Sequence, residues 1–172
     1  MTSCGPNTQC YNFTHMFDIQ DRRGKYPIKT ACPNSILDII QKHSDFSKFL
    51  YMVKLARLEH ILNNIQADFT VFIPSDYFLK TKVNDNIFVN MDPNTAFHIV
   101  KSSMLNNRIP SEILDDSPAA FYYTADENNR IFISNISGQT YLNNDIKIIK
   151  KDILAVNGII HITDGLFHPH TE

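Results

Sequence analysis

Thr70-Val71-Phe72-Ile73-Pro74-Ser75-Asp76-Tyr77-Phe78 begins with four β-branched or aromatic residues and ends in a proline and a polar turn. Such a run suits a strand buried on both faces. Pro74 has no N–H to give a ladder and ends it. Ser75 or Asp76 is then placed to cap a helical turn burying Tyr77, Phe78 and Leu79. Near the other end of the chain, Asn157-Gly158-Ile159-Ile160-His161-Ile162-Thr163-Asp164-Gly165-Leu166-Phe167-His168-Pro169 has the same character. Alternation along a strand puts His161 on one face with Ile159 and Thr163, opposite Ile160 and Ile162. A buried, hydrogen-bonded histidine is expected there rather than a catalytic one.

Outward from the first stretch the pattern is helical. Asn34-Ser35 can cap a helix carrying Ile36, Leu37, Ile39 and Ile40, because their side-chain oxygens accept from unpaired N–H groups. Ser44 opens a second helix with Phe46, Phe49, Leu50 and Val53 at helical spacing, and Leu58, Ile61 and Leu62 mark a short third. Asp92-Pro93 supplies an N-cap and a proline at the first helical position, ahead of a stripe of Ala96, Phe97, Val100 and Met104. After Pro118 the period shortens. Phe121–Thr124 and Arg130–Ser134 flank a turn and form a hairpin, and Ile146–Ile149 and Ile159–Thr163 supply later strands. Ser137-Gly138, Asn143-Asn144 and Asn157-Gly158 are turns tolerant of positive φ. Helices first and strands later, without a repeating βα unit, describe an α+β domain over residues 34–172, preceded by an irregular arm over residues 1–33.

The chain has 172 residues, 43% hydrophobic and 20% charged, which suits one folded domain that needs no metal or disulfide to stand. A net charge of −2 argues against a nucleic-acid partner, and Lys147, Lys150 and Lys151 interleaved with Ile148 and Ile149 describe a solvated strand edge. No apolar run approaches the ~20 residues of a membrane span. Met1–Pro6 lacks the basic start and apolar core of a secretion signal. The expected location is therefore extracellular if a leader was removed, and otherwise cytoplasm or a virion. Cys4, Cys10 and Cys32 all lie in the arm. An odd count leaves a thiol free or paired with another chain, so disulfide chemistry (Cys4 with Cys10, for example), inert thiols and a metal site stay open. Asn12 and Asn135 begin glycosylation sequons that matter only for a secreted chain. His168-Pro169-His170 is expected to be solvated rather than metal-binding.

Together the two stretches resemble the signature boxes of the fasciclin-like (FAS1) adhesion domain, over roughly residues 34–170. Ser35-Ile36-Leu37 resembles that family's opening helix, and Asn107-Arg108-Ile109-Pro110-Ser111-Glu112-Ile113-Leu114 the segment after its central Tyr-His pair. The resemblance implies a wedge of strands with a layer of helices, no cofactor, and a role in adhesion or extracellular assembly. Aligning back from Asn107 and Ser111 puts Ser102-Ser103 where the Tyr-His pair belongs, with His98 five residues early. That departure puts in doubt any function attributed to the pair, integrin recognition included. Ser103 is expected to be buried near the second stretch. Lys151-Asp152-Ile153-Leu154 is similar to an Asp-Ile motif proposed as an integrin contact in matrix proteins of the family, which makes Asp152 and Ile153 candidate partner contacts. On the residues alone, Ile153 and Leu154 belong to the core ahead of a tight turn, and Asp152 satisfies backbone donors.

No enzyme signature is present: no Gly-x-Ser-x-Gly elbow, no His-Glu-x-x-His, no phosphate-cradling glycine loop. Asp115-Asp116 lies in a polar stretch expected to be a loop, with nothing to desolvate it. The leading expectation is a non-enzymatic interaction module that binds a protein partner or self-associates, without catalytic, metal or cofactor residues. A structural component of a virion is the alternative. The 17 Asn and 22 Ile suggest an AT-rich genome, and the arm cysteines could lock neighbours through an inter-chain disulfide. A carrier of small apolar ligands is a third expectation, requiring a cavity of roughly several hundred Å³ lined by apolar side chains.

Overall fold

Ser35 sits just outside helical φ/ψ, and its hydroxyl accepts the Asp38 N–H at 3.1 Å, so α1 (Ile36–Lys42) starts where the sequence marks it. A computed structural model describes residues 27–82, 86–116, 119–126 and 129–167. Cys4, Cys10, Asn12 and the His168–His170 tail lie outside the described residues. A 3-10 turn, Ser44–Phe46, leads into α2 (Ser47–Leu55), and α3 (Glu59–Leu62) precedes β1 (Phe69–Pro74). Then come α4 (Asp76–Lys82), α5 (Asn86–Val89), α6 (Pro93–Ser102), β2 (Met104–Leu105) and α7 (Ser111–Asp116). The remaining strands are β3 (Ala119–Tyr123), β4 (Arg130–Ile136), β5 (Gln139–Leu142), β6 (Ile146–Ala155) and β7 (Gly158–Thr163).

These strands form a seven-stranded sheet in the order β2-β1-β7-β6-β5-β4-β3. The two signature strands lie side by side in it, β1 parallel to β7, with Phe72 opposite His161. Every other pair is antiparallel. Val71, Ile73, Ile160 and Ile162 face the helices and join α1, α2 and α6 in one core, which also takes in Ile28 and Ala31. The opposite face carries a second core of Phe72, Leu105, Leu114, Ile131, Ile133 and Phe167, among others. The result is the expected α+β wedge with its helical layer.

Several local expectations are corrected by tertiary contacts. Asp76 does not cap its own helix. It accepts the Ser47 and Lys48 N–H groups at 2.9 and 3.0 Å, while Asp45 takes the Tyr77 N–H at 3.0 Å and the Ser75 hydroxyl. The starts of α2 and α4 face each other, so each acid meets the other helix's donors. Tyr77 consequently points outward, 68% exposed. α6 stops at Ser102, and Met104 leaves the helical stripe to pair with Val71. Asp115-Asp116 closes α7 instead of a loop. Gln139–Leu142 is a strand that the sequence shows only as a gap between two turns. Those turns carry the expected positive φ at Ser137, Gly138, Asn143 and Asn144, but Asn157 and Gly158 do not.

A groove of about 670 Å³ beside α2 and α3 is lined by Pro27, Ile28, Lys29, Gln41, Leu50, Lys54, Arg57 and Glu59. Half of these residues are charged, which does not favour an apolar-ligand carrier.

A clamped segment beside Asp152 as candidate interaction surface

The chemistry around Asp152 begins with two buried polar residues that need partners. Thr70 on β1 is wholly buried. Its hydroxyl donates to Asn107 O at 2.6 Å and accepts the Ile109 N–H at 2.7 Å. His161 on β7 is also wholly buried, and its Nε2 lies 2.8 Å from Ile109 O. The ring's other nitrogen, Nδ1, accepts the Asp152 N–H at 3.2 Å. An accepting Nδ1 makes Nε2 the protonated nitrogen, so the ring is neutral. Each signature strand thus gives one side chain to the same segment, residues 107–111.

β6 completes the clamp. Its ladder with β7 shifts register between Ile148 and Lys150 and again between Lys150 and Ile153, and Asp152 sits in the second bulge at φ 65°. The bulge turns the Asp152 carboxylate toward Ser111. It accepts the Ser111 N–H at 2.9 Å on one oxygen and the Ser111 hydroxyl on the other. Burial alone would raise this carboxyl, but the Ser111 bonds, with the Lys151 ammonium nearby, hold it below the usual carboxylate range. Arg108 donates to Ala155 O at 3.2 Å and pairs with Asp68 at 2.7 Å, and Lys151 pairs with Asp115 at 2.6 Å. The segment therefore covers a flank of β6 that no strand pairs with beyond Lys147.

Of the two candidate contacts, Asp152 is exposed but engaged, and Ile153 is half-buried against the helical core. Leu154, expected in the core, is instead 68% exposed, with Val156 at 45% beside it. Neighbours along a strand face opposite ways, so Ile153 and Leu154 do not share the core. Ser103 is buried as expected, but its carbonyl accepts the Phe72 N–H at 2.8 Å, next to the first signature strand rather than the second. His98 lies at the surface and pairs with Asp126 at 2.9 Å. Asn135 is half-buried and donates its Nδ2 to Leu114 O at 2.5 Å. Cys32 is fully buried and is not a free thiol. Among the described residues no cluster of His, Cys, Asp or Glu is arranged to hold a metal, and no helix is long and apolar enough to cross a membrane. Sequence reasoning missed Thr70, Ile109 and Ser111 as a unit. The available signal was the buried His161, which had to find an acceptor.

The family model of the fasciclin domain matches residues 44–169, which include both signature strands and the clamped segment. The chain belongs to the fasciclin domain family. It is 24% identical over 136 residues to periostin of Homo sapiens, an alignment that takes in 78% of this chain and 16% of periostin. A solved FAS1 domain pair from the insect cell adhesion molecule fasciclin I superposes with a TM-score of 0.65 at 20% identity, over 78% of this chain and 51% of that one. The chain thus spans a small part of periostin and about half of the fasciclin I pair. In this fasciclin domain the helices and the sheet have the expected arrangement, and its two signature strands are the parallel pair next to the β2 edge.

The neutral His161 gives this fasciclin domain a pH dependence with a definite sign. Burial lowers its pKa below 6.5; Ile109 O and the carboxylates of Asp152 and Asp115 oppose the shift, and Lys151 adds to it. A depressed folded pKa means that the unfolded chain takes up the proton first. The stability it contributes is fully present above about pH 6.5 and is lost as pH falls through the folded value. Buried His60 is shifted in the same direction, whereas burial raises Glu59 and gives it a contribution lost as pH rises from about 4.5. Urea melts between pH 7.5 and 5.5 should show wild type losing stability more steeply than His161→Gln, by up to about 1.4 kcal/mol per pH unit. Equal slopes would mean that His161 titrates as a solvated histidine.

Proposed function

We propose that the chain is a non-enzymatic protein-interaction module of the adhesion type, with its contact surface at the strip of Ile153, Leu154 and Val156, at the end of β6 and in the turn after it, beside Asp152. The observation supporting this is Leu154, 68% exposed on a strand whose neighbouring backbone and acid are already engaged. A rigid support that presents an apolar side chain suits an anchor residue in a protein contact. Asp152 serves on this reading as a positioning residue: its carboxylate holds Ser111 and sets the strip, while Ile153 anchors the strip to the core.

Cell attachment to surfaces coated with the intact chain tests the reading. Leu154→Asp is expected to reduce attachment several-fold with an unchanged melting temperature, because the side chain is mostly solvated in the free domain. Attachment unaffected by Leu154→Asp, or absent from the wild-type coating, would count against the strip.

A further inference from the structure

Among the described residues β3 is the outermost strand of the sheet and pairs only with β4. The Thr124 N–H donates to Asn129 O at 3.1 Å, and the register runs on from there, with Tyr122 opposite Ile131 and Ala120 opposite Ile133. Ladder bonds alternate along an antiparallel pair, so Ala120 and Tyr122 use their backbone groups on β4. Those of Ala119, Phe121 and Tyr123 point away from the sheet. Exposed edges are usually protected by a charge, a proline, a bulge or short length. At the opposite edge β2 has two residues, and the unpaired flank of β6 is covered by residues 107–115. β3 has none of these protections: Ala-Ala-Phe-Tyr-Tyr is uncharged and unbroken in register, with Phe121 59% and Tyr123 73% exposed.

We infer that this edge pairs with the β3 edge of a second copy of the chain, antiparallel and two-fold symmetric about Phe121. The sequence is self-complementary in that register. Phe121 meets its own copy, and each Ala119 lies opposite a Tyr123, so the small residue leaves room for the large one. All six outward backbone pairs are satisfied, and no like charges face each other across the new ladder. Phe121 already packs on Phe132 with ring centroids 4.9 Å apart, and the Arg130 guanidinium lies 4.6 Å from the Phe121 ring centre. Pairing extends this couple into a row of four phenylalanines across the axis, with an arginine at each side. Five residues a side fall short of the roughly 1,200–2,000 Å² of stable complexes, so the association is weak and concentration-dependent.

Sedimentation velocity of the intact chain under reducing conditions, from about 10 μM to about 1 mM, tests the inference. Wild type is expected to shift toward dimer with concentration. Phe121→Lys puts two like charges opposite each other and should raise the dissociation constant at least about tenfold, measured at a temperature where its melting curve shows the variant fully folded. A second measurement does not depend on that variant. In the proposed register the two copies of position 121 have Cα atoms about 5.5 Å apart, within disulfide reach, whereas the two copies of position 123 are about 14 Å apart. Phe121→Cys should therefore cross-link through position 121 on oxidation, and Tyr123→Cys should not form a link between its two copies. A chain monomeric throughout would leave the edge to an extended segment of another protein and overturn the inference. Equal cross-linking at both positions, or a dimer untouched by Phe121→Lys, would overturn it too.

Discussion

Gly158→Ala is expected to destabilise the domain by about 3 kcal/mol or more, a larger loss than most single substitutions cause. A Cβ at this position would lie 2.3 Å from Phe69 O and 2.7 Å from Ile36 Cδ1. The isoleucine methyl can turn aside. The carbonyl cannot, because Phe69 is the register partner of Gly158 in the parallel pair and its N–H is bonded to Asn157 O at 3.0 Å. Relief requires β1 and β7 to separate at the end where α1 also packs. Urea denaturation of wild type and variant, compared at one pH, measures the cost. A loss under about 1 kcal/mol would show that the strands part easily and that the close approach is not a constraint.

Asn157→Ala should cost about as much for a different reason. Asn157 is wholly buried. Its Oδ1 accepts the Ile36 N–H at 2.8 Å, and its Nδ2 donates to Leu62 O at 2.8 Å and Asn64 O at 3.1 Å. One side chain thus ties the turn between β6 and β7 to the start of α1 and to the chain leaving α3. Truncation leaves a donor and two acceptors without their partner in an interior that water does not reach, each costing about 1–3 kcal/mol. The expected total is about 3 kcal/mol, since some of these groups can relax toward other partners. Asn157→Asp separates the contributions. It keeps an acceptor for Ile36 but loses both donors and brings a charge into the core, so at neutral pH it should be at least as damaging as alanine. Aspartate tolerated better than alanine would put most of the effect on the Ile36 bond alone.

These two positions also show how far the sequence could be read. Asn157-Gly158 is recognisable as a turn, but the usual reason, positive φ, is absent: neither residue adopts it. Gly158 is needed because another backbone is close, and Asn157 because three distant groups converge on its amide. Both requirements depend on which segments become neighbours. The reciprocal caps have the same origin, since Asp76 reads as a cap of its own helix until the two helix ends are seen to face each other. Leu154 fails for a geometric reason: it is read into the core together with Ile153, and neighbours along a strand face opposite ways.

At the candidate surface, burial and hydrogen bonding of His161 were legible, because a lone histidine among isoleucines in a strand has few other roles. Its partners were not, because Ile109 O lies 52 residues away in the chain. Asp152 reads as an acceptor for backbone donors, and it does accept the Ser111 N–H, but nothing local pointed to Ser111, 41 residues away on α7, as the donor.

Local chemistry in the chain was sufficient to specify the α+β class, most of the helices and longer strands, and the two signature strands that pair in parallel. Strand composition, proline placement and helix caps depend on a few neighbouring residues, and the two signature stretches carry them in full. The tertiary structure alone decided which surface is presented: a clamped acid at Asp152, an outward Leu154, and an unprotected β3 edge at Phe121. Edges, bulges and bonds across the fold arise from contacts between residues far apart in the chain, and local periodicity has no means of recording them.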